Sequence, residues 1–577
     1  MSEIGMSPRN AVAAAVVMAL VVYLPSLGNG FALDDTGDIV ENTTVHTLAN
    51  TGDILTSPYR GRVPPGRSPY RPVTSLTYAL NWTMGSGSPV PFHAFNVALH
   101  GTNTALVTVL LTTLGATPIL ALLGGAVFAV HPVHVEAVAN AVGRGDALMA
   151  LFVLLGALAY LGRFRSAWAR VGLVSLAYAM ALASKENGVV LPALLVMLSL
   201  LFPERVGRAG RSGRAGRTGG AERTGRERWD SQLPLFAALA GVLVLYLTVR
   251  YQVLGTLFHR DAAPYIVMLP TSLRMTTAVA NVTELVRLLL FPADLVADYG
   301  PAVILPAGTG ALRFWVGGGV LLGVAVLAVR TLALRARAEE PPTASSLRRS
   351  PWVTLGVVWV VLSFAVVGNV FFPVGVWVAE RTLYLPTVGV SLLVVGLGQY
   401  AIGFLEESRP RLRFSFVGAA TLLVLLGGAR TWTRNAAWRD TEAVFMTLAD
   451  EHPESFRAQW WMGMQMIEAG ERDRGLEWLG QAVDLNPNEL RLQLDFVRGL
   501  LLAGRSEEAM ALVSSLPPAD PARYVYLTQS HIQLDQPDRA REAVQEGLAR
   551  FPEDARLMRQ ARELEIRPTE NTSVENP

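Results

Sequence analysis

Two adjacent carboxylates, Asp34 and Asp35, follow directly on the first apolar stretch, in the run Phe31-Ala32-Leu33-Asp34-Asp35. Neighbouring acids repel each other and drive their protonation apart. One can then act as a general base while the other holds a charged or hydroxylic partner. A lone acidic pair is more often a helix cap or a solvated turn, but this one opens the long polar loop 29–93. Further ionisable clusters stand at the ends of other apolar stretches. Ser68-Pro69-Tyr70-Arg71-Pro72 supplies Arg71. In the run Phe92 to His100, a helix places His93, Asn96 and His100 on one face. Such a face lines a wet cavity or bonds a neighbouring helix. The densest cluster, 131–146, holds His131, His134, Glu136, Asn140, Arg144 and Asp146. A helix continuing beyond Pro132 would stack Glu136, Asn140 and Arg144 as one stripe. Arginine is suited to clamping a phosphate. The bland alternative is a salt bridge from Arg144 to Glu136 or to Asp146. His131 and His134 could ligate a metal, but no third ligand stands out, so none is assigned. Lys185-Glu186 joins two apolar stretches, and among 49 Lys and Arg residues Lys185 is the one lysine. Charges so near hydrocarbon are usually functional, although a local Lys–Glu pair would also explain them. Glu380-Arg381 completes the set.

A carboxylate base and a cationic phosphate clamp at membrane level describe attack of a hydroxyl on a lipid-phosphate sugar. A single inverting displacement needs a base for the nucleophile and charge stabilisation for the departing phosphate. No glycine-rich dinucleotide turn marks a soluble nucleotide-sugar enzyme. The absence of cysteine excludes disulfides and thiolate chemistry.

The elements that must position these residues are mostly apolar helices. Half the chain (51%) is hydrophobic and 17% is charged, too little charge for an ordinary soluble chain of this length. About eleven stretches have the length of a bilayer span, and the first is read as retained rather than cleaved. Arg-rich loops at 204–230 (eight Arg) and 332–350 (four Arg) place those segments inside. The N-terminus is then cytoplasmic, and the polar loops and C-terminal part lie outside. Arginine in place of lysine, with abundant Ala, Val and Gly, suggests a GC-rich bacterium and hence its inner membrane. Segment 276–310 begins with an apolar run carrying Glu284 and Arg287, and reads as re-entrant or interfacial. The loop 204–230 lacks interleaved aromatic residues, so it reads as a linker near lipid headgroups and not as a nucleic-acid site. From about 436 the pattern turns amphipathic. Pro453 and Pro487, Gly470 and Gly504, Gly475 and Ala509, and Pro518 and Pro552 recur at the tetratricopeptide interval. The expected layout is an all-α membrane domain over 1–435, a tetratricopeptide solenoid over 436–566 and a disordered tail, 567–577.

The runs LDDTGDIVEN, SPYRPVTSLTYALNW, FHAFNVALH, HPVHVEAVANAVGRGDAL, ASKENGVVLP, LLLFPADLVADYGP and ERTLYLPTVG, followed by the repeats, resemble the TMTC family of transmembrane, tetratricopeptide-containing proteins. More distantly they resemble the protein O-mannosyltransferases. The resemblance implies a GT-C membrane fold, a polyprenyl-phosphate hexose donor and transfer to protein Ser or Thr outside the cytosol. In a bacterium the carrier would be undecaprenyl rather than dolichyl phosphate. The family's acidic pair corresponds to Asp34 and Asp35, with Asp34 favoured as the base. Arg71, His93, His131, His134, Glu136, Arg144, Asp146, Lys185, Glu186, Glu380 and Arg381 are the expected donor-binding set. The partners expected are the lipid carrier and, through the repeats, an acceptor or envelope protein. The alternatives are a repeat scaffold with an inert membrane part, or an enzyme of the same fold acting on lipid or polysaccharide.

Overall fold

The computed structural model describes residues 6–61, 68–164, 166–207, 230–257, 264–337, 351–370, 373–408 and 412–564. Most of the Arg-rich loop 204–230, most of 332–350 and the tail 567–577 lie outside the described residues. Among the described residues the chain is all-α, without strands. It forms two units: Met1–Tyr299 with Pro306–Val444, and Gly300–Leu305 with Phe445–Pro577.

Proline sets many helix starts in the first unit, because its missing N–H would be unpaired there anyway. The longer helices are α1 (Pro8–Val22), α2 (Pro72–Gly85), α3 (Val90–Leu114), α4 (Pro118–Ala129), α5 (Arg144–Leu161), α6 (Ala167–Ser184), α7 (Leu191–Leu201) and α8 (Leu233–Leu254). They continue with α9 (Thr271–Ala280), α10 (Val282–Leu290), α11 (Leu312–Arg337), α12 (Pro351–Ala365), α13 (Pro386–Ser408) and α14 (Leu412–Arg434). Among the described residues, five are long and apolar enough to cross a membrane: α3, α5 with its leading turn from Ala141, α6, α8 and α11. Helix α4 with Pro132–Val138 makes a sixth, bent by 49°. Helices α1 and α12, the run Glu186–Leu201 and the Pro386–Ile402 part of α13 are apolar but shorter than a span of about 20 residues. One of the expected apolar stretches is interrupted by the turn Pro132–His134, while the turns Glu186–Val190 and Glu380–Leu383 fall between helices. These breaks fall at the polar clusters. Segment 276–310 contains α10 and the end of α9, which meet at Asn281, then a stretch without a long helix. Its charges are neutralised locally, with Arg287 Nη2 2.5 Å from Glu284 Oε1.

Helix α3 packs against α1, α4 and α5, and α13 packs against α4 and α12. The α12–α13 crossing is close because a Cβ at Gly356 would lie 2.7 Å from the Gly389 carbonyl oxygen. Helix α15 (Thr441–Glu451) follows α14 after a short turn, Asn435–Trp438.

The second unit stacks helix pairs: α16 (Phe456–Glu468) with α17 (Arg472–Leu485), α18 (Leu490–Leu502) with α19 (Ser506–Ser515), and α20 (Pro521–Gln533) with α21 (Pro537–Arg550). Helix α22 (Ala555–Glu563) closes the series. The first two intra-pair turns use Gly470 and Gly504 at φ +92° and +76°, a conformation glycine adopts without a Cβ clash. In the third pair Asp535 takes that place at φ +56°.

Candidate active site

The loop after α1 places its two acids differently. Asp34 is exposed, whereas Asp35 is fully buried. The Asp35 carboxylate accepts backbone N–H bonds from Ala32 (3.0 Å), Val142 (2.8 Å) and Ala141 (3.4 Å). It therefore pins the 29–35 loop to the turn leading into α5. Burial pushes its carboxyl up to about 7, against the downward pull of the three donors. Leu33, immediately before Asp34, sits at φ +48°. A left-handed conformation costs a non-glycine residue about 1–2 kcal/mol, and such strain persists only where surrounding structure enforces it. Here Leu33 N–H donates to Thr441 Oγ1 (2.9 Å), Gly30 N–H to the Arg439 carbonyl (2.7 Å), and Asn29 Nδ2 to the Trp438 carbonyl (3.1 Å).

The expected stripe of Glu136, Asn140 and Arg144 does not form. The backbone breaks after Val138, Asn140 is extended, and a new helix starts at Arg144. Gly143 permits this tight fold-back, because a Cβ there would lie 2.7 Å from Ala137 Cα. Arg144 bonds neither Glu136 nor Asp146. It is fully buried, and its guanidinium donates to Asn96 Oδ1 (2.7 Å), the Phe92 carbonyl (2.9 Å) and Thr77 Oγ1 (3.2 Å). Its Cζ lies 4.5 Å from the Phe95 ring centroid and 5.0 Å from that of Tyr78. Arg144 is thus an internal pin joining α2, α3 and α5, and its full burial leaves no face for the phosphate it was expected to clamp.

The shared face of His93, Asn96 and His100 forms as expected, but its members bond neighbouring elements rather than line an open cavity. His93 Nε2 donates to the Gly30 carbonyl (3.0 Å), supporting the acidic loop from the other side. Asn96 Nδ2 donates to the carbonyls of Asn140 (3.0 Å) and Val138 (3.2 Å). His100 Nδ1 lies 2.8 Å from the Tyr384 hydroxyl. His131 Nε2 donates to the Leu289 carbonyl (3.1 Å), and His134 Nε2 bonds Thr387 Oγ1 (2.7 Å). Both imidazoles face protein partners. Among the described residues, no group of three or more His, Asp or Glu is arranged to hold a metal.

The remaining charges do gather. Glu136 accepts the Arg381 backbone N–H (2.8 Å) and pairs with its guanidinium. Lys185 Nζ lies 2.5 Å from Asp146 Oδ2. Arg71 donates twice to Glu186 Oε2 (3.0 and 3.1 Å), while Arg250 reaches Glu186 Oε1 (2.9 Å). Glu380 is fully buried and its Oε1 accepts Val296 N–H (2.6 Å) and the Tyr299 hydroxyl (3.1 Å). It anchors the chain after α10 beside Arg381. Burial raises the Glu380 carboxyl to about 8.

These pairs share one electrostatic neighbourhood. Glu136 most strongly, then Asp34 and Asp146, hold Arg381 firmly protonated against the opposing pull of burial. Burial lowers the Lys185 pKa, Asp146 opposes this, and Arg71 and Arg381 add to it. The 29–35 loop, the start of α2, the 131–146 cluster, Lys185-Glu186 and Glu380-Arg381 therefore converge. Arg381 lies in the field of both Asp34 and Asp146, and its side chain is 27% exposed. Three participants were missed from sequence. Arg250 near the end of α8 was a visible signal, a charge within an apolar helix. Asp38, held by Arg60 at 2.6 Å, and Thr441 carried no signal beyond their polarity.

A tetratricopeptide repeat family model matches residues 466–529. Over 495 residues the chain is 28% identical to the mouse protein O-mannosyl-transferase TMTC4, covering 80% of this chain and 64% of that protein. It is 28% identical to the Drosophila melanogaster protein O-mannosyl-transferase Tmtc1, over 76% of this chain and 57% of that protein. With mouse TMTC3 it shares 26% identity over 87% of this chain and 54% of the relative. The chain spans between half and two thirds of the length of these relatives. With its apolar helices and its repeats, this multi-pass membrane protein is similar over most of its length to the TMTC proteins.

Proposed function

We propose that the chain is an inverting membrane glycosyltransferase that moves a hexose, mannose by analogy with its relatives, from a polyprenyl-phosphate carrier to a protein Ser or Thr hydroxyl. The reaction takes place on the non-cytoplasmic side, with the repeats receiving the acceptor protein. The observation that carries this reading is the exposed Asp34 carboxylate, set on a strained turn within the field of Arg381. Asp34 takes the proton of the acceptor hydroxyl as its oxygen attacks the anomeric carbon from the face opposite the phosphate. The bond from that carbon to the phosphate oxygen breaks, and its electron pair leaves on the lipid phosphate. Arg381 meets the departing phosphate, and Lys185 and Arg71 add positive potential behind it. Asp35 acts by holding the loop, and Arg144 by holding the helices beneath it. The products are an inverted glycoside, the lipid phosphate and a protonated Asp34.

The test uses the purified full chain in nanodiscs with polyprenyl-phosphate mannose and Ser/Thr-containing acceptor proteins. Asp34→Asn removes the base and lowers kcat about 10²- to 10⁴-fold, with a monodisperse protein of unchanged melting temperature. Undiminished transfer by this variant would refute Asp34 as the base. No transfer by the native chain to any such acceptor would favour the scaffold reading.

A further inference from the structure

Leu33, the residue before Asp34, is held by a segment more than 400 residues away in sequence. The segment begins with Trp438, 1% exposed. Its carbonyl and that of Arg439 accept the bonds from Asn29 and Gly30. Asp440 caps α15 by accepting Ala443 N–H at 2.8 Å, which fixes the first helical residue, Thr441. The Thr441 hydroxyl then accepts Leu33 N–H at 2.9 Å, at the left-handed residue immediately before Asp34. The other bonds end on backbone carbonyls, which any residue supplies. The Thr441 bond alone among those from this segment depends on side-chain chemistry.

We propose that Thr441 is a positioning residue for the transfer reaction: its hydroxyl locks the left-handed Leu33 turn and so sets the direction of the Asp34 carboxylate. The proposal rests on the reading of Asp34 as the base. Without the lock, Leu33 relaxes toward ordinary backbone angles and the carboxylate swings away from the acceptor hydroxyl. Proton transfer depends steeply on such geometry, since a displacement of about 1 Å can lower a rate by about 10²-fold. The hydroxyl contributes an acceptor and no charge, so donor binding by the cationic side of the site is untouched.

The experiment measures kcat and KM for polyprenyl-phosphate mannose with Thr441→Val and Thr441→Ser in the full chain, normalised to monodisperse protein. Valine keeps the shape and removes the acceptor, whereas serine keeps the acceptor. The expected result is a fall in kcat of about 10- to 100-fold for valine at unchanged donor KM, with serine restoring most of it. Hydrogen exchange at the peptide containing Leu33 rises in the valine variant alone. A native kcat for Thr441→Val overturns the proposal, as does a loss that serine does not restore or one that appears in donor KM. If the valine variant does not fold, Thr441→Ala takes its place under the same criteria. Asp34→Asn run in parallel separates the two claims. Intact transfer by that variant removes the catalytic reading itself, whereas loss there with a native Thr441→Val removes only the lock.

Discussion

In the repeat unit, Arg541 and Asp538 lie one helical turn apart at 2.8 Å, with side chains 48% and 92% exposed. In the membrane unit, Lys185 and Asp146 come from different helix ends and meet at 2.5 Å, with side chains 10% and 3% exposed. The chemistry of the two pairs is alike and their surroundings are opposite. Water screens the first pair and already satisfies both partners. The second pair has given up most of its hydration, so each charge depends on the other. Pairs of the second kind join segments distant in sequence, as Glu136 does with Arg381, which also lies in the field of Asp34. Buried pairs that join distant segments therefore mark the candidate site in the membrane unit, whereas the Arg541–Asp538 pair of the repeats lies on a solvated face.

The largest effect is expected from breaking the buried pair. Lys185→Met leaves Asp146 enclosed without a counter-charge, which typically destabilises by about 3–5 kcal/mol. Thermal unfolding in detergent should show a correspondingly lower midpoint, and Lys185→Met with Asp146→Asn should recover much of it. A single variant that melts like the native chain would mean that the pair is hydrated, and the contrast with the repeats would fail.

A pH series sharpens the same contrast. Burial raises Asp38 to about 6, Asp35 to about 7 and Glu380 to about 8. Each keeps a proton in the folded chain at pH values where the unfolded chain, with carboxyls near 4, has lost it. The folded state thus binds more protons between those limits, and stability falls as pH rises. The loss begins near pH 4, grows through each folded value and is complete above about 8. Melting of the membrane unit should decline across that window, and Asp35→Asn should flatten the part between about 4 and 7. A melting temperature independent of pH would contradict the burial of these acids.

The residues at these charges were legible from sequence, but their partners were not. Lys185, Asp146, Glu136 and Arg381 announce themselves because ionisable groups beside apolar stretches are rare. Which pairs with which depends on where Pro132, Gly143 and the turn at Glu186 bend the chain. Arg144 shows the limit most sharply. Its type suits a phosphate, yet Asn96, Tyr78 and Phe95 surround it. Asp34 and Asp35 are chemically identical, and only the amides of Ala32, Ala141 and Val142 decide which one is buried. The helical fold and the repeats were easier, because periodicity is a local property. Even there the third intra-pair turn departs from the interval. Helix α19 has 10 residues where α17 has 14, so Asp535 reaches the left-handed position early.

The repeats should be sensitive to shape where the site is sensitive to charge. A Cβ at Gly475 would lie 2.7 Å from the Gly463 carbonyl oxygen and 3.0 Å from the Ile467 nitrogen. Gly475→Val therefore forces α16 and α17 apart, and overpacking of this kind typically destabilises by about 1–3 kcal/mol. Faster hydrogen exchange should appear in Phe456–Leu485 and be absent from α3 and α5. Exchange that rises equally in the membrane unit would mean that the two units do not unfold separately.

The smallest effect belongs to the exposed pair. Arg541→Ala removes a guanidinium whose partner, Asp538, stays almost fully hydrated. The Coulomb attraction between them is weak in water and is opposed by the entropy of fixing the long arginine side chain, so a net change within about 0.5 kcal/mol is expected. Helix propensity favours alanine slightly over arginine, which offsets part of even that loss. Hydrogen exchange across α21 should be indistinguishable from native at low and at high salt. A loss comparable to that of Lys185→Met would show that Arg541 is engaged in something beyond its helical neighbour. The division between site charges and surface charges would then have to be redrawn.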